Sequence, residues 1–203
     1  MKILVVNQAR FSHIRSVQNK ALRQSVKDEF DVSVRRMDNF TLTGLAAVAK
    51  LNLSLSNTEN VSLISCAQYF SVELVQQLII DGLSGKSIRP LDFVATVGNA
   101  ANFYIAKEFA IHGSNLFLGA DKQTLEKTLM MGALELASHP KQQVVIVLWQ
   151  ETQTHRNCQA MLLQNIDLAV HNNIQTLNIA EITDAIQPDS PFVLDLGTLN
   201  SLF

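Results

Sequence analysis

Only two cysteines, Cys66 and Cys158, occur in the 203 residues. Two thiols exclude a disulfide scaffold and fit a reducing compartment, so the chain is expected in the cytoplasm. Charge is scarce at 17%, and the formal net charge is −2. The basic residues are scattered rather than striped, which leaves no electrostatic footprint for nucleic acid. No apolar run reaches the length of a membrane span. The opening MKILVVNQARF has too short an apolar stretch for a signal peptide and reads as a strand. His13, His112, His139, His155 and His171 lack the H-x-x-x-H spacing of a zinc site, and no metal or cofactor is expected.

What the chain does have is aliphatic bulk. At 47% hydrophobic it can bury the core of a single domain spanning residues 1–203. Paired with so little charge, that content predicts an apolar face covered by a partner.

Residues 2–6 and 61–67 read as buried strands, and VVIVLW at 144–149 as a central one, because β-branched runs without alternation are buried on both faces. Residues 16–29 read as a surface helix and 32–34 as a short extended piece. Asp38 caps a helix reaching about Leu51. The stretch LSLSNTENVS reads as a loop. Ser71 caps a helix in which Val72, Val75, Leu78 and Ile79 share a face, closed by Gly82 to Gly85. Pro90 opens the next ordered stretch, residues 100–111 are helical, and 124–137 carries Leu125, Leu129, Ala133 and Leu136 on one stripe. Residues 160–170 fit either strand or helix. The alternation predicts α/β layers, with the three strands in one mixed sheet and helices 71–82, 98–110 and 124–137 packed on it.

Chemistry is concentrated between Pro90 and Glu126. A helix, a break at Gly113, the apolar Leu116-Phe117-Leu118, a turn at Gly119-Ala120 and a second helix follow one another. Such a turn places side chains at a helix N-terminus, where free N–H groups and the macrodipole stabilise negative charge. The turn offers Asp121, Lys122, Gln123 and Thr124 but no thiol. Threonine needs a base in hydrogen-bond reach, and no local histidine supplies one. Cys66, at a strand end before a helix, has the placement of a nucleophile, although cysteine usually behaves as a small buried hydrophobe. Arg35 and Arg36 could meet an acidic partner or a phosphate, or be a solvated pair at a helix entry. His112 could be a base or a helix-end histidine.

The segments RRMDNFTLTGLAAVAKL (35–51), RPLDFVATVGNAANFYIAKEFAIHG (89–113), GADKQTLEKTLMMGALELASH (119–139) and VVIVLWQE (144–151) resemble the N-terminal half of β-ketoacyl synthases. More closely, they resemble the short ketosynthase-like proteins of aryl polyene and type II fatty-acid-like pathways. Pro90, Phe93, Val97, Asn99 and Ala100 match the family pattern, whereas Gly98 and Asn102 replace more usual residues. The resemblance implies a thiolase-like layered α/β fold, truncated to its N-terminal half. The second half would supply the histidines that assist condensation. It also implies that the position of the catalytic cysteine falls at Asp121, Lys122 or Gln123, none of which replaces a low-pKa thiolate.

Chain-length factors, the silent partners of ketosynthases, often carry glutamine there, as Gln123 would; Gln123 is equally an ordinary first-turn residue. The resemblance therefore implies a catalytically silent subunit that pairs with an active β-ketoacyl synthase; the acidic partner that Arg35 and Arg36 could meet would then be acyl-carrier protein or its phosphopantetheine phosphate. Asn99, Phe103, Gln123, Met130 and Met131 become candidates for acyl-tunnel wall or partner contact, on a surface built from 90–111 and 124–137. The alternatives are an independent acyltransferase or thioesterase-like enzyme using Cys66 or Thr124, and a carrier-docking scaffold.

Overall fold

A computed structural model describes residues 1–53, 60–69, 72–119, 123–166, 174–179, 181 and 191–197. In chain order its elements are β1 (Lys2–Ile14), α1 (Asn19–Phe30), α2 (Asn39–Ala49), β2 (Val61–Ala67), α3 (Val72–Leu83), α4 (Pro90–Val94), α5 (Asn99–Glu108), β3 (Asn115–Gly119), α6 (Thr124–Ser138), β4 (Gln143–Glu151), β5 (His155–Gln164), β6 (Thr176–Asn178) and β7 (Phe192–Asp195). The strands form one mixed sheet ordered β3-β2-β4-β5-β1-β7-β6. β2 runs parallel to both β3 and β4, whereas β5 is antiparallel to β4 and β1.

Burial explains the centre of this sheet. Every residue of β2 is buried, and so are Val144 to Trp149 of β4. One face packs Val61, Leu63, Val145, Val147 and Trp149 under α1, α2 and α5. The opposite face packs Ile64, Cys66, Ile146 and Leu148 under α6. The result is helices on both faces of a sheet, as expected for α/β layers.

Several local expectations shift. β1 runs to Ile14, well past the expected residue 6. A bulge between Val5 and Asn7 re-phases the strand, after which Ala9 and Phe11 point to the core. The alternate residues are polar and pair across the sheet, with Gln159 donating to Gln8 at 3.0 Å and Ser12 to Asn157 at 2.5 Å. Bulges of this kind re-aim side chains without ending the ladder. Residues 32–34 are not a strand, although Val32 and Val34 are buried.

Asp38 caps α2 as expected, accepting from the Thr41 N–H at 2.9 Å. Helix α5 stops at Glu108 rather than residue 111. Ala110 takes φ 50°, and the Ile111 N–H returns to the Ala106 carbonyl at 2.9 Å. This is a helix stop in which a left-handed residue satisfies an orphan carbonyl. Gly113 then passes so close to β2 that an added Cβ would sit 2.5 Å from the Val61 carbonyl oxygen.

The largest departure is α3. Its apolar face was expected on the sheet, but neither α3 nor α4 buries a residue, and both stand outside the two core clusters. Ser71, most of LSLSNTENVS, and residues 167–170 lie outside the described residues.

Candidate functional site

The parallel strands β3, β2 and β4 end side by side, with Ala67 level with both Gly119 and Trp149. Helix α6 is the next described element after β3 and packs on β2 and β4. Gln123 is the exposed N-cap residue and makes no side-chain capping bond. Thr124 is buried in the first turn, and its carbonyl accepts from the Thr128 hydroxyl at 2.6 Å. Glu126 adds a carboxylate to the first turn, where the helix dipole favours negative charge. Asp121 and Lys122 lie outside the described residues.

Cys66 sits on β2 beneath α6 and is fully buried. Burial pushes its thiol up to about 11, an effect that a hydrogen bond with Thr128 opposes and the charge of Glu126 reinforces. That environment disfavours the thiolate an acyl-transfer nucleophile needs. Cys158 lies buried against the other face, and its pKa is likewise raised, chiefly by burial. With Cys66 near 11, its thiolate fraction at pH 8 is about one in a thousand. Iodoacetamide is therefore expected to leave both cysteines unmodified in the folded chain and to label both in denaturant, read by peptide mass. Labelling of native Cys66 within minutes would restore the thiol-enzyme reading.

The expected wall residues separate into two groups. Asn99 opens α5 and is exposed, Phe103 follows one turn later at 59% exposure, and Met131 is exposed on α6. Met130, by contrast, is 8% exposed and belongs to the interior. Its neighbour Leu129 faces the sheet completely buried, so the two register positions bracket the packed side of α6. Met130 is thus inside the chain rather than on its surface.

Asn102 is also interior and fully bonded. It accepts from the Ser65 hydroxyl at 2.6 Å and donates to Asn115 and to the Leu116 carbonyl, each at 3.0 Å. Its role is to fasten α5 to β2 and β3. Arg35 and Arg36 are exposed, as is His112, four residues beyond the end of α5. Arg35 lines a cleft of about 430 Å³ with Lys20, Arg23 and Lys27 of α1.

What the sequence reading missed is the extent of exposed aliphatic surface. Ile79, Ile80 and Leu83 of α3, then Ile88, Leu91, Phe93, Val94 and Val97 around α4, are all exposed. Exposed apolar side chains grouped in this way are the kind of surface that serves as a contact site. Among the described residues β3 is an edge strand of the sheet, paired with β2. Among the described residues no group of three or more metal-ligating side chains occurs, and no helix is long and apolar enough to cross a membrane.

No family model and no curated protein matches the chain by sequence. Solved structures do match by shape. A chain of the Xenorhabdus doucetiae ketosynthase (ApeO) in complex with its chain length factor (ApeC) superposes with TM-score 0.61 at 12% identity. The match covers 82% of this chain and 80% of that one, so the two are of similar length. The ishigamide ketosynthase/chain length factor gives TM-score 0.61 at 10% identity over 81% of this chain and 62% of the other. A β-ketoacyl synthase from Burkholderia phymatum STM815 gives 0.57 at 9% identity, over 85% and 61%. Against these last two the chain spans less than two thirds of the matched length. At such identities the likeness establishes the fold, which is the thiolase-like α/β fold of ketosynthases.

Proposed function

We propose that this protein is a catalytically silent, chain-length-factor-like subunit. It pairs with an active β-ketoacyl synthase in polyketide or fatty-acid-type chain extension, in the cytoplasm, as a single domain over residues 1–203. The observation that carries this reading is the α3–α4 surface, whose apolar side chains stand in water. Obligate interfaces look like a domain core cut in half, and burying such a surface is the main gain of association. The likeness to ketosynthase/chain length factor pairs supplies the kind of partner.

In this reading the mechanism is steric. The partner contributes the nucleophile and the histidines for Claisen condensation. This chain contributes apolar wall from Phe103, Met131 and the α3–α4 aliphatics, which limits how far a growing acyl chain extends. The exposed Arg35 and Arg36 are the natural meeting point for acyl-carrier protein. In this reading the position of the missing nucleophile falls at Asp121, Lys122 or Gln123, of which Gln123 is the exposed N-cap of α6.

The buried, high-pKa Cys66 and the thiol-free segment 119–126 argue against catalysis by the chain alone. Incubation with an acyl-thioester donor, followed by intact-mass and peptide analysis, is expected to show no acyl adduct on 119–126. A stoichiometric adduct there would overturn the silent-subunit reading, and one on Cys66 or Thr124 would establish an independent acyltransferase.

A further inference from the structure

One side chain ties the start of the α3–α4 hairpin to the sheet. Glu73, in the first turn of α3, accepts from the Arg15 Nε at 2.7 Å and, through its other oxygen, from the Arg156 Nη2. Arg15 follows directly on β1, and Arg156 is the second residue of β5. Both partners are therefore carried by the sheet. The Arg156 side chain is 8% exposed and also donates to Glu151 on β4 at 3.0 Å. A guanidinium fixed in this way by a second carboxylate is a rigid receptor for Glu73, because its planar donors are already oriented.

At the far end the hairpin returns through Gly98, which leaves no room for a Cβ: one placed there would lie 2.5 Å from the Phe117 ring. Between these two points no residue of α3 or α4 is buried. The other carboxylate of α3, Asp81, looks inward to the hairpin itself, bonded to Gln77 and Lys86. Beneath the hairpin lies a cleft of about 720 Å³, walled by Glu73, Leu74 and Leu91 on one side and by Arg36, Asp38 and Phe40 on the other.

We propose that residues 72–97 form an arm clasped to the sheet by Glu73, and that opening the Glu73 clasp lets α3 swing away from the α1–α2 cleft. A packed helix is held by many apolar contacts and cannot be released by one charge. An unpacked helix held through a salt bridge can, since little buried area is lost on opening. The clasp thus sets the angle at which the aliphatic stripe is presented. That this presentation serves docking rests on the proposed pairing with a synthase; the clasp itself does not.

Hydrogen exchange of the full chain, read by mass spectrometry on peptides within 72–97, tests it. Glu73→Gln is expected to speed exchange over 72–83 by about tenfold or more while β4 and β5 peptides are unchanged. Asp81→Asn, which alters only a bond within the arm, is expected to leave attachment as in the wild type. Raising salt from about 0.1 M to about 1 M shortens the screening length from about 10 Å to about 3 Å. In the wild type it should therefore accelerate the same 72–83 peptides selectively. Unchanged exchange in Glu73→Gln, equal acceleration by Asp81→Asn, or acceleration spreading through β4 and β5 would each overturn the clasp. None of these results depends on a synthase being present.

Discussion

Gly44→Ala is expected to destabilise the chain by about 2 kcal/mol, lowering the melting temperature by about 5 °C, although helix propensity favours the change. Gly44 lies inside α2, where replacing glycine by alanine ordinarily gains about 1 kcal/mol. Here the added Cβ would fall 2.2 Å from Cζ2 of Trp149 and 2.9 Å from Cε2. The indole cannot yield cheaply. It is stacked on Phe40 with centroids 4.4 Å apart and an interplanar angle of 13°, and its Nε1 donates to the Phe40 carbonyl at 2.9 Å. Moving it would break a buried hydrogen bond and a ring stack together, so overpacking outweighs propensity. Combining the change with Trp149→Phe removes the clashing atoms. The double variant should then cost less than the sum of the singles, with a coupling of about 1 kcal/mol or more. A Gly44→Ala protein as stable as the wild type in thermal unfolding would refute this account of how α2 seats on β4.

That contact illustrates what the sequence made legible. VVIVLW and the 61–67 run could be placed as central strands because aliphatic residues without alternation have only one comfortable location, between two covering layers. Helix α6 was equally plain, since Leu125, Leu129, Ala133 and Leu136 form a single stripe and all are buried. The second half of β1 was not. Its solvent side carries Gln8, Arg10 and Ser12, and the bulge after Val5 breaks the period on which a strand is recognised. β5 escaped for the same reason, because His155, Asn157 and Gln159 alternate with buried Arg156 and Cys158.

Helix α3 shows a different limit. Its apolar face was readable from Val72, Val75 and Ile79, but periodicity reports that a face needs cover and not which molecule provides it. In the middle of the sheet α1, α2 and α5 cover one face and α6 the other, while on β1 and β5 Gln8 bonds to Gln159 and Ser12 to Asn157. The unmet apolar demand lies on the α3–α4 arm. The candidate site divides in the same way. Gln123 and Phe103 could be placed from the helix pattern, whereas the burial of Met130 depends on how α6 is rolled on the sheet. One residue of difference in sequence separates core from surface there.

Replacing Ile79 or Phe103 by Asp is expected to abolish pairing with a ketosynthase while leaving the fold intact. Both side chains are exposed, at 56% and 59%, so neither substitution opens a cavity or buries a charge in the free chain. On association the same positions would be desolvated, and an unpaired carboxylate in an apolar contact costs far more than the methylenes it replaces. Interfaces that bury over about 2,000 Å² still depend on a few central side chains, and losing one reduces affinity by about tenfold or more. The measurement is co-expression with an active ketosynthase, capture through a tag on the synthase, and comparison of bound fractions with melting curves of each variant. Met130→Asp provides the contrast, because at 8% exposure it should lower stability before it lowers binding. If Ile79→Asp and Phe103→Asp both fold and co-purify at the wild-type level, the α3 to α5 surface is not the contact. A wild-type chain that behaves as a stable monomer and ignores every synthase offered would remove the pairing itself, and the exposed aliphatics of α3 and α4 would then need a partner of another kind.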